Sequence, residues 1–241
     1  MSADASSLLH VHRLTTRVGG RTCEGFVFDH HRQAFSLWAR AAREAGPLAL
    51  VTLDRHMDLE EPAIPVPDCA APLPEIDACA RQLCARNDDH VLAAFDSGAL
   101  SDAAVIARSH QPADLARLNP YRDRAGREHQ LAFARTVDEV GPDLLALVER
   151  AERVALDVDL DCFSTLSDGH PDEVVPWDED HVDAFLRPPD SERFWSAVLS
   201  RTRLLTIARE PYHCGGLERG ARLWRDFSEV FFRRLLGVPP P

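Results

Sequence analysis

The chain has 241 residues, is 45% hydrophobic, and carries 39 acidic against 27 basic residues for a formal net charge of -12. That length and apolar content fit a single domain over residues 1–241 with a sizeable core and exclude a chain disordered throughout. The acidic balance argues against nucleic acid or an anionic membrane as partner and favours a cation or a positively charged substrate.

The first predicted strand, Thr22–Phe28, ends in Asp29, His30 and His31. A histidine pair at a strand end is a candidate ligand pair once other ligands are found near it. A helix over Gln33–Glu44 follows, with Phe35, Leu37, Trp38 and Ala42 on one side. The next strand, Leu48–Leu53, runs into LALVTLDRHMDL. Asp54, His56 and Asp58 stand at alternate positions there, so an extended chain aims all three side chains one way. Such a convergence strands charge unless a cation is held. Glu60–Asp77 is proline-rich and without usable period, Glu75–Arg86 reads as a helix, and Ala103–Ala107 as a strand.

Pro142–Arg150 reads as a helix whose proline suits the first helical position. The strand Val154–Val158 lies in ERVALDVDLDCFS, where Asp157, Asp159 and Asp161 share one face and Val158 and Leu160 the other. Three acids on one buried strand face again call for metal. Ser164–Trp177 is polar and acidic. The remaining elements are a helix over Arg193–Ser200, a strand over Leu204–Ala208 ending in Arg209 and Glu210, and a helix over Leu217–Leu236. Glu210 could receive a cationic group or pair on the surface with Arg209.

Alternating strands and helices predict a three-layer α/β/α sandwich with a mainly parallel sheet. Ligands bind at the carboxyl ends of such strands, so Glu60–Asp77 and Ser164–Trp177 are expected to overhang the site as a groove. Oxygen-rich ligands with a few imidazoles suit Mn²⁺ or a related divalent ion. The six cysteines form no CxxC pair, and no apolar run of about 18 residues occurs, so a reduced, cytoplasmic protein is expected. There is no lysine, which excludes a lysine nucleophile.

The motifs FDHHRQAF, TLDRHMDL, ALDVDLDCFS and TIAREP together resemble the arginase and deacetylase superfamily, and within it the peptide arginases, across roughly residues 20–220. The resemblance implies two Mn²⁺ per chain and hydrolysis of arginine side chains in a ribosomally made precursor peptide to ornithine and urea. It also implies that His31, Asp54, Asp58 and Asp157 hold one ion. Asp54, His56, Asp157 and Asp159 would hold the other, with Asp54 and Asp157 bridging. Asp58 would relay a proton and Glu210 would bind the guanidinium. His30 and Asp161 remain alternate or outer ligands, and His90, His110 and His213 are candidates for a proton shuttle. The alternatives are a small-molecule ureohydrolase or amide deacetylase on the same metals, or a metal-binding protein without catalysis. The sequence does not set the oligomeric state.

Overall fold

The computed structural model describes residues 11–109, 119–166 and 173–241. In chain order the strands are β1 His12–Val18, β2 Arg21–Phe28, β3 Leu48–Asp54, β4 Leu100–Ala107, β5 Tyr121–Arg122, β6 Glu128–His129, β7 Leu131–Ala134, β8 Val154–Asp159, β9 Ser164–Leu166, β10 Val174–Pro176 and β11 Thr202–Ala208. The helices are α1 Gln33–Ala45, α2 Leu73–Gln82, α3 His90–Asp96, α4 Pro142–Arg150, α5 Glu179–Leu186, α6 Glu192–Arg201 and α7 Leu217–Ser228.

Seven strands form the central sheet in the order β1-β2-β11-β8-β3-β4-β7. All neighbours are parallel except β1, which pairs antiparallel with β2. Every residue of β3 (LALVTLD) and of β8 (VALDVD) is buried, as central strands covered on both faces require.

The pleat sorts their apolar side chains into two cores. Leu50, Ala155 and Leu204 face a core with Phe35 and Trp38 of α1, Ile76 of α2 and Phe95 of α3. Val51, Leu53, Leu156, Val158 and Ile207 face the other, with Leu147 of α4, Leu186 of α5, Val198 of α6 and Phe227 of α7. Helices on both faces of a mainly parallel sheet make the expected three-layer α/β/α sandwich. Burying a side chain such as Phe35 contributes roughly 1.5–3 kcal/mol, so α1 is strongly anchored on its face of the sheet.

Several boundaries differ from expectation. The helix predicted over Glu75–Arg86 runs from Leu73 to Gln82. Leu83 leaves the helix, and the Asp89 carboxylate accepts from the Cys84 N–H, which folds residues 84–89 into a turn. The last helix is α-helical only to Ser228 and continues as a π-helical stretch over Glu229–Leu235. The six cysteines are free. Among the described residues, no helix is long and apolar enough to cross a membrane.

Candidate metal centre

The parallel register decides which acids meet at the strand tips. On β3 and β8, Thr52 pairs with Asp157 and Leu53 with Val158. One more rung sets Asp54 beside Asp159, and past the strand ends a short 3-10 turn over Leu160–Phe163 brings Asp161 beside His56. Each leading aspartate is held by a local bond: Asp54 Oδ1 accepts from the His56 N–H at 2.7 Å, and Asp159 Oδ1 from the Asp161 N–H at 2.9 Å. The other oxygen of each turns to one point.

That point is Nδ1 of His31. The chain leaves β2, turns through His30 and His31, and starts α1 with the Ala34 N–H on the His31 carbonyl. His31 is buried, whereas His30 is exposed. His31 Nδ1 lies 3.3 Å from Asp54 Oδ2, 3.0 Å from Asp58 Oδ2 and 3.1 Å from Asp159 Oδ2. It nonetheless has no hydrogen-bond partner among the described residues. Beside this group, His56 Nδ1 lies 3.2 Å from Asp161 Oδ2 and 3.9 Å from Asp54 Oδ1. Two clusters with ligand atoms close enough for a metal ion therefore share Asp54: His31–Asp54–Asp159 and Asp54–His56–Asp161. A third joins His31, Asp58 and His90.

Asp157 has a different place from the bridging position the resemblance implies. It lies one pleat lower, fully buried, between Thr52 of β3 and Thr206 of β11. Both hydroxyls donate to it, at 2.9 and 2.6 Å, and His31 Nε2 sits 2.7 Å from its Oδ2. Asp157 thus meets the far nitrogen of His31. A carboxylate there draws the ring proton to Nε2 and leaves the Nδ1 lone pair facing the acids, the arrangement usual behind a metal-bound histidine.

Electrostatics fit a cation. Burial, followed by the charge of Asp54, pushes the Asp58 carboxyl well above the usual carboxylate range, and burial with the Asp161 charge does the same to Asp159. The hydrogen bond to Asp161 raises His56 to about 9. Buried acids that crowd together this way are compensated by positive charge. An unpaired imidazole nitrogen facing three carboxylate oxygens is a donor set that suits a divalent ion, so the residues fit the metals expected here.

Above the cluster opens a cavity of about 400 Å³, lined by Asp58, Glu60, Asp88, Asp159, Asp161 and Glu210 among others, with Arg86 as its one arginine among the described residues. Glu210 is buried, and Arg209 pairs instead with Asp29 of the neighbouring strand end at 2.7 Å. Glu210 Oε1 accepts from the His31 N–H at 2.5 Å and from Asn87 Nδ2 at 2.7 Å. Burial foremost raises its carboxyl to about 7. Of the four non-glycine residues with positive φ among the described residues, Asp58 (52°), Asn87 (62°) and Glu210 (39°) all line this cavity. Asparagine and aspartate adopt this region readily and glutamate does not, and backbone strain such as that at Glu210 gathers at functional sites.

The overhanging loops take only part of their expected role. From Glu60–Asp77, Glu60 alone lines the cavity, while Pro62–Val66 border a separate depression with Arg124. Residues 73–77 belong to α2. The described part of Ser164–Trp177 is the β9–β10 hairpin, and none of it lines the cavity. Among the shuttle candidates, His213 lines the cavity, 3.8 Å from Glu210 Oε2. His90 is buried against the rings of His31 and Trp38, with Nδ1 on the Asn87 carbonyl at 2.9 Å. His110 lies outside the described residues. Sequence reasoning missed Asn87, Thr52 and Thr206. The two threonines fall on the same pleat face as the aspartates, a signal that period-2 counting could have used.

Scans against protein-family models and curated proteins return no match. Among solved structures the chain is similar to proclavaminate amidino hydrolase from Streptomyces clavuligerus, at 19% identity and a TM-score of 0.43, over 83% of this chain and 62% of that one. This chain thus spans less than two thirds of that protein's length, and a likeness of that size says nothing of activity.

Proposed function

We propose that the chain is a binuclear metallohydrolase that cleaves a guanidinium carbon–nitrogen bond, turning arginine side chains of a precursor peptide into ornithine and urea. The observation that carries this reading is the unpaired Nδ1 of His31 facing three carboxylate oxygens beneath an acidic cavity floored by Glu210. His31, Asp54, Asp58 and Asp159 would hold one Mn²⁺, and Asp54, His56 and Asp161 the other, with Asp159 shared where the two groups adjoin. Asp157 takes the role of the carboxylate that orients His31. Other divalent ions suit the same donors.

When bound, the pair of ions supplies Lewis acidity and lowers the pKa of a water molecule. The chain's own groups do the rest. Glu210 Oε2, the oxygen engaged by neither His31 nor Asn87, meets the guanidinium and offsets its charge. Asp58, at the cavity floor, accepts a proton from the attacking water and passes it to the departing amine. The surplus of carboxylates at the mouth favours a cationic side chain over a neutral amide.

The test is mass spectrometry of arginine-containing peptides incubated with manganese-loaded protein, with free arginine and acetyl-lysine alongside. Loss of CH₂N₂ from a peptide with release of urea is the expected result. Turnover of free arginine alone points to a small-molecule ureohydrolase, and of acetyl-lysine alone to a deacetylase. Metal binding with no turnover of any of these would leave a metal-binding protein without catalysis.

A further inference from the structure

Glu210 has two oxygens in unequal circumstances. Oε1 is saturated by the His31 main-chain N–H and by Asn87 Nδ2, whereas Oε2 accepts no hydrogen bond among the described residues. Asn87 is 4% exposed and lines the same cavity. Its backbone is fixed independently of its side chain: the N–H donates to the Cys84 carbonyl at 3.0 Å, and the carbonyl receives His90 Nδ1 at 2.9 Å. The left-handed φ of 62° is one that asparagine, aspartate and glycine adopt readily and most residues do not.

The amide orientation follows from its neighbour. Turned the other way, Asn87 Oδ1 would set its lone pairs against those of Glu210 Oε1, so the carboxylate selects Nδ2. Oδ1 is left buried with no hydrogen-bond partner among the described residues, and the amide's own geometry keeps it within a few ångströms of that carboxylate. A buried acceptor without a donor is a place where an incoming N–H gains a full hydrogen bond.

Resting on the guanidinium reading above, we propose that Asn87 is a specificity-determining positioning residue. It holds Glu210 by Oε1, leaves Oε2 for the ligand, and offers Oδ1 as a second acceptor. The pair thereby selects a planar cation rich in N–H donors over its neutral ureido counterpart.

Two substitutions separate this role from folding. Asn87→Gly keeps the left-handed backbone and removes the amide. Asn87→Asp keeps volume and backbone but turns an acceptor toward Glu210. The measurements are calorimetric binding to the full, manganese-loaded chain of an arginine-containing peptide and of the same peptide with a citrulline side chain, together with KM and kcat. Asn87→Gly should weaken binding of the arginine peptide by roughly ten- to hundred-fold, the value of a hydrogen bond to a charged group. Asn87→Asp should weaken it further. Binding of the citrulline peptide should change little, KM should rise more than kcat falls, and manganese content should stay at the wild-type level. An unchanged arginine-over-citrulline preference in both variants, or no such preference in the wild type, overturns the proposal. A wild type that prefers the arginine peptide yet never releases urea overturns the hydrolytic reading instead, and the binding ratios still decide the role of Asn87.

Discussion

Replacing Asp157 by asparagine tests whether it orients a ligand or is one. Asp157 receives three donors, from Thr206, Thr52 and His31. An asparagine must turn its amide nitrogen toward one side. If that nitrogen faces Thr206, the Thr206 hydroxyl accepts both from it and from Trp38 Nε1, which already donates to it at 3.2 Å, and its own proton is stranded. If it faces Thr52 and His31, the ring must give up its Nε2 proton, and the proton moves to Nδ1, the nitrogen that meets the acids. Either way one buried threonine hydroxyl proton is left without an acceptor, about 1–3 kcal/mol. Substitutions behind a ligand typically cost about 10- to 100-fold in metal affinity, or roughly 1.4–2.7 kcal/mol. Asp157→Asn should therefore bind manganese about that much more weakly in titration calorimetry while still reaching about two ions per chain at saturation. Asp159→Ala, which deletes a ligand, should lose at least one ion outright by elemental analysis. A full complement in Asp159→Ala, with Asp157→Asn unable to saturate, would refute the register argument and return Asp157 to the bridging position.

His31→Ala should abolish tight metal binding, and His30→Ala should leave it near the wild-type level; equal metal content in the two would contradict the buried orientation of His31. Glu210→Gln keeps the shape of the proposed guanidinium receptor and removes its charge, so metal content should hold while kcat/KM falls by roughly 10²–10³-fold; an unchanged rate would move substrate recognition elsewhere. The metal-free protein should lose stability as pH rises. The folded Glu210 holds its proton up to about 7 against an ordinary 4.5, so the native state binds more protons across that window and its advantage is gone above it. His31 works in the same direction: burial alone would lower it, but Asp157 and Asp159 together hold it well above 6.5. Thermal melts of chelator-treated protein from acid to neutral pH check this, and a midpoint that climbs with pH would reverse the sign.

Where burial is two-sided, the sequence was easy to read. β3 and β8 are apolar runs with polar tips because helices cover both faces, and their ends carry the candidate ligands. β1 (HRLTTRV) escaped because one face meets solvent and its arginines break the apolar run. β7 has only four residues. α3 (HVLAAFD) is buried on nearly every side and so lacks a polar face to mark its period. The aspartate triplet shows the limit most clearly. Alternation places Asp157, Asp159 and Asp161 on one face, but which rung stands beside Asp54 is a property of the pairing with another strand. Asn87 left no signal, since ARNDDH straddles the end of the helix predicted over Glu75–Arg86 and its partner Glu210 is 123 residues away.

The rung pairing of β3 with β8 also bears on how such a chain can change in evolution. Deleting one residue within β3 would turn Thr52 and Asp54 into the apolar layer shared with α4 to α7, and burying a carboxylate there is forbidding. Deleting two would keep the faces but slide the tip down by one rung, taking Asp54 away from Asp159. Length changes inside these strands are thus barred in either parity. The segment between Glu60 and α2 carries no rung and can lengthen or shorten at small entropic cost. Selection can therefore vary that loop while the acidic strand tips stay in register, and lineages of this fold should differ in loop length far more than in the spacing from Leu48 to Asp58.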